Sequence, residues 1–205
     1  MDPDVLTDTI EPDTRTRIVE TAERFFRQIG YQKTTVADIA KALKMSPANV
    51  YRFFDSKKAI NEAVAERLMR EVEAGISAIA THDAPAAERL RDMVRAMHGM
   101  NAALYTQELR MHEMVEAALS ESWHVVHGHI ERKSAIFERV IADGIASGEF
   151  VIENARLGSR CAQIALLRFF HPRMLVECAG EPEPSLDQQV DFVLRGLGHR
   201  ASGEA

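Results

Sequence analysis

Apolar residues recur at spacings of three and four along most of this chain, and such spacing is typical of amphipathic α-helices. The first apolar stripe comprises Ile18, Ala22, Phe25, Phe26 and Ile29. Gly30 follows it, and glycine readily takes the left-handed conformation that ends many helices. No short stretch alternates apolar and polar side chains with the β-branched residues that strands favour. The pattern therefore predicts an all-α fold.

Two short helices are predicted next, over about 36–43 and 46–53. Thr35 can cap the first one, with Asp38 placed three residues later in a capping-box arrangement. Ser46 and Pro47 suit the cap and the first position of the second helix. Two short helices joined by a three- or four-residue turn form the outline of a helix-turn-helix.

A longer helix begins after Asp55 or Ser56 and runs to about Ile79, which is long enough to link two domains. The segment Thr81–Pro85 interrupts the helical pattern. The remaining predicted helices run from Asp83 to about Leu104, over Gln107–Leu119, Ser122–Ser147 and Asn154–Phe170, and from Ser185 to about His199.

The net charge of −6 over 205 residues is unevenly distributed. Residues 13–60 carry ten lysines and arginines against five acids, a net charge of +5, whereas residues 1–12 carry −4 and residues 61–205 carry −7. Such asymmetry is typical of a polyanion-binding head on an acidic body. The charge distribution therefore indicates a candidate nucleic-acid-binding protein and not merely a generic helical protein.

Other classes of protein are disfavoured by what the sequence lacks. There is no long apolar run and no basic-then-apolar leader, so we expect a cytoplasmic protein without a membrane partner. Cys161 and Cys178 form no Cys-x-x-Cys pair, which disfavours thiol chemistry as the main function. The nucleophile, metalloprotease and phosphate-loop motifs of enzymes are missing as well. We therefore predict no catalytic residues, no cofactor and no metal site.

The segment from Thr34 to Lys57 resembles the N-terminal domain of the tetracycline-repressor-like (TetR/AcrR) family. The resemblance extends over about Arg15–Val64 and rests on the paired threonines, on a recognition helix of small residues containing Tyr51, and on the lysine that begins the following helix. It implies a three-helix helix-turn-helix domain joined by a long helix to a C-terminal helical ligand-binding and dimerisation domain.

The resemblance also implies a division of the chain into three parts. These are a flexible acidic tail (1–12), the helix-turn-helix DNA-binding domain (13–60), and a helical effector-binding and dimerisation domain (61–200).

The residues between Ser46 and Phe53 suit a helix that enters the major groove. Small Pro47 and Ala48 allow a close approach and could meet a thymine methyl group. Asn49 can pair with adenine, and Arg52 can make a bidentate contact with guanine.

The full set of DNA-contact candidates is Thr35, Ala37, Ser46, Pro47, Ala48, Asn49, Tyr51, Arg52 and Lys57. The family pattern implies contacts from all of them except Ser46 and Asn49, with Tyr51 reaching phosphate through its hydroxyl. Phe53 stands where the family often has histidine. Alternative interpretations are that Thr35 and Ser46 act only as caps. Tyr51 could equally be a core aromatic residue, and Lys57 part of a solvated face.

A helix-turn-helix head reads too few base pairs alone, so we expect a homodimer on a palindromic operator of double-stranded DNA. The resemblance implies that the last two long helices form the dimer interface. Its candidates are Leu157, Cys161, Ile164, Leu167, Leu186, Val190, Val193 and Leu197. The same stripes could instead pack inside one chain.

The other body helices of a family member would enclose a pocket for a small-molecule effector. Methionine adapts to irregular ligands, and Trp and His add directional polar groups. The lining candidates are Met97, Met100, Tyr105, Met111, Met114, Trp123 and His127, although each could be an ordinary core residue.

Together these features predict a one-component transcriptional regulator, a repressor that a small-molecule effector releases from DNA. One alternative is a helical protein-interaction module whose basic head binds an acidic partner. Another is a metal-responsive regulator, because His124, His127 and His129 lie close together in the sequence, with His98 and His112 nearby. Only His124 and His127 share a helical face, however, so the spacing favours surface or core histidines.

Overall fold

The computed structural model describes residues 13–106, 110–178, 180 and 183–199. Helix is the only regular secondary structure within these ranges, which confirms the all-α expectation. The α-helices are α1 (Thr14–Ile29), α2 (Val36–Ala42), α3 (Pro47–Tyr51), α4 (Lys57–Ala80), α5 (Ala86–Thr106), α6 (Met111–Glu121), α7 (Trp123–Ala146), α8 (Ala155–Ala165), α9 (Pro172–Glu177) and α10 (Leu186–Gly196). A single 3₁₀ turn, Leu167–Phe169, lies between α8 and α9.

Side-chain caps define where the first helices begin. Asp13 accepts a hydrogen bond from the Thr16 amide at 2.7 Å, and Ser46 accepts one from the Asn49 amide at 3.2 Å. Pro47 occupies the first turn of α3, where its missing N–H has no partner to lose. Gly30 has φ +90° and ends α1. Helices α2 and α3 form the helix-turn-helix, and their buried side chains share one hydrophobic cluster with α1 and the start of α4.

Helix α4 contributes side chains to two separate hydrophobic cores. Ile60 and Val64, in its first half, are fully buried among α1, α2 and α3. Val72 and Ile76, in its second half, are buried among α5, α7, α8 and α10. We call the first cluster the head core and the second the body core.

Helix α6 packs into the head core even though it follows α5 in the chain. Met111 and Met114 are fully buried there against α4. The buried Asn61 of α4 donates a hydrogen bond from Nδ2 to the Met114 carbonyl at 3.2 Å. The Glu113 carboxylate accepts a hydrogen bond from the Gln32 amide, in the loop after α1, at 3.1 Å. Helix α6 is thus attached to the head by apolar packing and by two polar contacts.

The structure differs from the sequence prediction after residue 165. The predicted helix 154–170 ends at Ala165, a 3₁₀ turn follows, and α9 was not predicted. His171 and Pro172 interrupt the helix as expected, but Pro172 also begins α9, because proline is favoured in a first helical turn. Within the described parts of the chain, no helix has the length and hydropathy to cross a membrane.

We expect Lys44→Gly to raise the free energy of unfolding by about 0.5–1 kcal/mol. Lys44 lies in the turn between α2 and α3 with φ +56°, a left-handed conformation that disfavours any residue with a Cβ. Urea denaturation measures the change. The control is Lys41→Gly inside α2, where glycine should lower the free energy of unfolding by up to about 1 kcal/mol. Equal losses in both variants would contradict a left-handed Lys44.

Candidate nucleic-acid interface and cavity

One side of helix α3 faces solvent, and the opposite side packs into the head core. Val50 and Phe54 are buried in the head core, as the sequence pattern predicts. The side chains of Ser46, Pro47, Ala48, Tyr51 and Arg52 are exposed on the other side. Tyr51 is 49% exposed, so it is not a core aromatic residue. The exposed face therefore combines small residues, a hydroxyl group and a guanidinium.

Two of the candidate residues are only partly exposed. Asn49 lies half-buried beside the cap of α3. The Lys57 ammonium donates a hydrogen bond to the Gln32 carbonyl at 3.2 Å and lies 4.3 Å from the centroid of the Tyr31 ring. Partial burial lowers the pKa of Lys57, and the nearby Glu113 acts in the opposite sense. Lys57, the first residue of α4, thus also contacts the loop after α1.

Thr35 and Asp38 form a complete capping box at the start of α2. The Thr35 hydroxyl accepts from the Asp38 amide at 3.1 Å, and the Asp38 carboxylate accepts from the Thr35 amide at 2.9 Å. The Thr35 hydroxyl also donates to that carboxylate at 2.6 Å. These hydrogen bonds lower the pKa of Asp38. Thr35 and Ala37 are both exposed, so each has a free side toward solvent.

A cavity of about 130 Å³ lies between the head core and the body core. Helices α4 to α7 and the segment from the 3₁₀ turn to the start of α9 line it. Its lining residues are mostly apolar and comprise Ala65, Leu68, Met69, Val72, Asn101, Leu104, Met114, Leu119, Val126, His129, Ile130, Lys133, Leu167, Phe170, His171 and Pro172. A largely apolar cavity with a few polar groups is what a small-molecule site requires.

The polar groups of the cavity are concentrated on α7 and near α9. His129 and Arg132 both bind the buried Glu73, with His129 Nδ1 at 2.7 Å and Arg132 Nε at 2.8 Å from its two carboxylate oxygens. Lys133 lies next to this cluster, and its ammonium is 5.7 Å from the centroid of the Phe170 ring. His171 Nδ1 is buried and has no hydrogen-bond partner among the described residues.

Burial and charge shift the pKa values of this cluster in different directions. Burial lowers the pKa of Lys133 to about 8, although Glu73 opposes the shift. Burial also lowers the pKa of His129, assisted by the charge of Lys133. Burial alone would raise the pKa of Glu73, but the hydrogen bonds from Arg132 and His129 outweigh it and hold that pKa below its usual value. Glu73 is therefore a carboxylate at neutral pH.

One of the sequence-predicted pocket residues, Met114, lines the cavity. Met97 is buried in the body core and Met111 in the head core. Trp123 is 57% exposed, and His127 is exposed beside Glu131. Met100 is partly buried against the body core, and the side chain of Tyr105 lies outside the described residues.

Sequence reasoning missed Lys133, Asn101 and His171 as cavity residues. A signal for Lys133 existed, because it is the only lysine after Lys58 and stands on the apolar face of its helix. Ile130 precedes it by three residues and Phe137 follows it by four.

The dimer-interface candidates divide into two groups. The exposed group comprises Leu157, Cys161 and Ile164 on α8 and Leu167 on the 3₁₀ turn, with Ile164 74% exposed. Val190, Val193 and Leu197 are buried in this chain's own body core, and Leu186 packs against it. Phe192 of α10, which sequence reasoning missed, is 67% exposed. We call Leu157, Cys161, Ile164, Leu167 and Phe192 the exposed apolar face.

The histidines considered for a metal site are dispersed. His124 and His127 are exposed, whereas His129 is bound to Glu73. His98 Nδ1 lies 3.1 Å from the Phe169 carbonyl, and the side chain of His112 lies outside the described residues. Among the described side chains, no three His, Cys, Asp or Glu residues are grouped so as to hold a metal ion.

Two family models match the chain. Residues 18–64 match the model described as bacterial regulatory proteins, tetR family. Residues 86–193 match the model described as tetracyclin repressor-like, C-terminal domain. A stretch of 46 residues is 44% identical to the biofilm operon icaADBC HTH-type negative transcriptional regulator IcaR of Staphylococcus aureus. That stretch covers 22% of this chain and spans only about a quarter, 25%, of the curated relative.

Solved structures share the fold over nearly the whole chain. The fatty acid degradation regulator FadR from Bacillus halodurans superimposes with a TM-score of 0.65 at 18% identity, covering 93% of this chain and 99% of FadR. SmeT, the repressor of the Stenotrophomonas maltophilia multidrug efflux pump SmeDEF, superimposes with a TM-score of 0.62 at 18% identity. The SmeT match covers 93% of this chain and 92% of SmeT. SmeT has also been solved in complex with triclosan.

We expect Thr35→Ala to lower the free energy of unfolding by about 1 kcal/mol, because it removes the cap of α2. Urea denaturation checks this value. Thr35→Ser keeps the hydroxyl and should restore stability to within a few tenths of a kcal/mol. If Thr35→Ala were as stable as the unmodified chain, the capping box would not contribute to stability.

Proposed function

Since the chain belongs to the TetR family of bacterial regulatory proteins, whose members are DNA-binding transcriptional regulators, we propose that it is a repressor controlled by a small molecule. In this proposal a homodimer binds a palindromic operator through two helix-turn-helix heads, and an effector in the cavity releases it.

The observation that carries the proposal is the exposed face of α3 on a head with a net charge of +5. The Arg52 guanidinium is exposed and can make a bidentate contact with guanine. Exposed Pro47 and Ala48 allow close approach to the groove floor. The basic surroundings supply the attraction to phosphates that positions the head, and α3 supplies the reading of bases.

Helix α4 gives the head a further attachment point for the DNA backbone. Its amino end carries Ser56 as the cap and Lys57 as the first helical residue. Free backbone amides and the helix dipole favour anions at such an end, and the lysine adds a positive charge. We assign this end of α4 to a phosphate contact, which positions α3 without reading sequence.

Two features support dimerisation through the exposed apolar face. Leu157, Ile164 and Phe192 are large apolar side chains on two neighbouring helices of the body, and each is more than half exposed. Large exposed apolar side chains on adjoining helices are typical of a protein interface. A two-fold axis there would present two heads to the two half-sites of a palindrome.

Effector release requires a connection between cavity and head, and α6 provides one. Met114 lines the cavity, and the carboxylate of the adjacent residue, Glu113, accepts a hydrogen bond from the Gln32 amide of the head. The Asn61 hydrogen bond to the Met114 carbonyl joins α6 to α4. An effector that binds one position of α6 more tightly than another shifts the heads by that difference in affinity alone.

The first test is selection of bound duplexes from a random pool, at two salt concentrations. We expect the unmodified protein to enrich a palindrome at both, although its affinity falls as salt rises. Arg52→Ala should relax the preference at one base pair per half-site and weaken binding to the enriched operator by about 1–3 kcal/mol for each lost bidentate contact.

Arg139→Ala is the matched control, because Arg139 is an exposed arginine on α7, outside the head. It should enrich the same palindrome as the unmodified protein. Weak binding to all duplexes, without enrichment by any of the three proteins, would overturn the regulator proposal and favour an acidic protein partner for the basic head.

A substitution at Ile164 tests whether the exposed apolar face forms the dimer interface. Ile164→Asp should raise the dimer dissociation constant by about 100-fold or more, because the dimer would bury an unpaired carboxylate. Sedimentation velocity over a concentration series measures the shift.

Val176→Asp is the control, since Val176 is an exposed apolar residue of α9 outside the exposed apolar face. This variant should dimerise normally. A dimer that is equally stable in both variants would exclude the exposed apolar face as the interface.

A further inference from the structure

We propose that the cavity between α4, α5, α6 and α7 binds a small organic acid, whose carboxylate pairs with the Lys133 ammonium. The remainder of this ligand is an apolar body about the size of one aromatic ring. The inference deepens the proposed function, because it assigns a chemical class to the effector, but ligand binding itself can be measured without DNA.

The buried acid next to Lys133, Glu73, already has a hydrogen-bond partner on each carboxylate oxygen. One oxygen lies 2.7 Å from His129 Nδ1 and the other 2.8 Å from Arg132 Nε. Among the described residues, Lys133 makes no hydrogen bond and no ion pair. The cavity therefore contains one positive charge that the protein does not neutralise by contact.

The Lys133 ammonium lies in largely apolar surroundings. Lys133 follows Ile130 on the cavity face of α7, and its Nζ lies 5.7 Å from the Phe170 ring centroid. A cation in such apolar surroundings is costly unless an opposite charge compensates it. The lowered pKa of about 8 reflects the same desolvation and still leaves the group mostly charged at neutral pH. An incoming carboxylate would remove this cost, whereas a neutral or cationic ligand would not.

A second polar atom of the cavity also lacks a partner. His171 Nδ1 is buried without a hydrogen bond to any described residue. It can donate to a carboxylate oxygen when the ring carries its proton on that nitrogen. The Asn101 side-chain amide, in contrast, already donates to the Phe170 carbonyl at 3.2 Å. Lys133 and His171 are thus two groups of the cavity lining that could bind an acid.

The rest of the lining sets the size and polarity of the ligand. Leu68, Val72, Leu104 and Leu119 contribute only apolar surface. The volume of about 130 Å³ is close to the roughly 150 Å³ of engineered apolar cavities that bind benzene. A single ring or a short branched chain therefore fits, with its carboxylate directed toward α7.

The test is isothermal titration calorimetry of the full-length chain, free of DNA, at neutral pH. The probes are benzoate, phenylacetate and cyclohexanecarboxylate, each compared with its neutral amide. We expect the acid to bind at least about tenfold more tightly than the amide, as a charge-assisted contact predicts. Lys133→Met should weaken acid binding by about tenfold to 100-fold and change amide binding by less than about threefold.

Arg139→Met is the matched control, because it removes an exposed cation from the same helix. It should bind the acids as the unmodified chain does. Unchanged amide binding shows that Lys133→Met keeps the cavity intact, and Lys133→Gln repeats the test with a polar side chain. Equal affinity for acid and amide, no binding of any acid at millimolar concentration, or acid binding retained by both Lys133 variants would overturn the inference.

Operator affinity with and without benzoate separates this inference from the proposed function. Acid binding that depends on Lys133, with no change in operator affinity, would keep the inference and overturn effector release. Operator release by the neutral amides alone would overturn the inference and keep effector release.

Discussion

Helix α4 contributes its first half to one hydrophobic core and its second half to the other, and this shared membership constrains the rest of the molecule. Ile60 and Ile76 are both fully buried, each in a different core, on one uninterrupted helix of 24 residues. Neither core can rotate relative to the other without bending α4 or opening one of the two clusters. The position of α3 is therefore tied to the packing of the body.

The cavity lies where the two cores meet, so its occupancy bears on both. Met114 and Leu68 belong to the head core and also line the cavity, whereas Val72 and Phe170 belong to the body core. A ligand there contacts side chains of both clusters at once. It need supply only a differential affinity of a few kcal/mol between two arrangements to change their populations substantially.

Helix positions were largely predictable from the sequence because burial on one side of a helix imposes its period on the chain. The same period does not tell which surface a stripe packs against. Val190 of α10 is buried inside its own chain, whereas Ile164 of α8 faces solvent, although both belong to regular apolar stripes. The exposure of most α3 candidates followed from caps and spacing, because that motif is local in the sequence.

The cavity was much less predictable, because a void depends on how distant helices fit together. Met97 and Met111 have the residue type of a pocket lining, yet their helices pack tightly around them. Lys133 and His171 come together only through the tertiary fold. A charged residue on an apolar helix face was the single local sign of the site.

Part of the head core is supplied by α6, which lies about fifty residues further along the chain. The head is therefore not a self-contained unit that can be exchanged by itself. Met111, Met114 and Val115 of α6 close the head core, and the Glu113 carboxylate binds the loop after α1. Residues 13–60 transplanted alone onto another regulator would leave this side of the head open to water. A functional chimera would have to carry α6, or a copy of its inner face, together with the domain it exchanges.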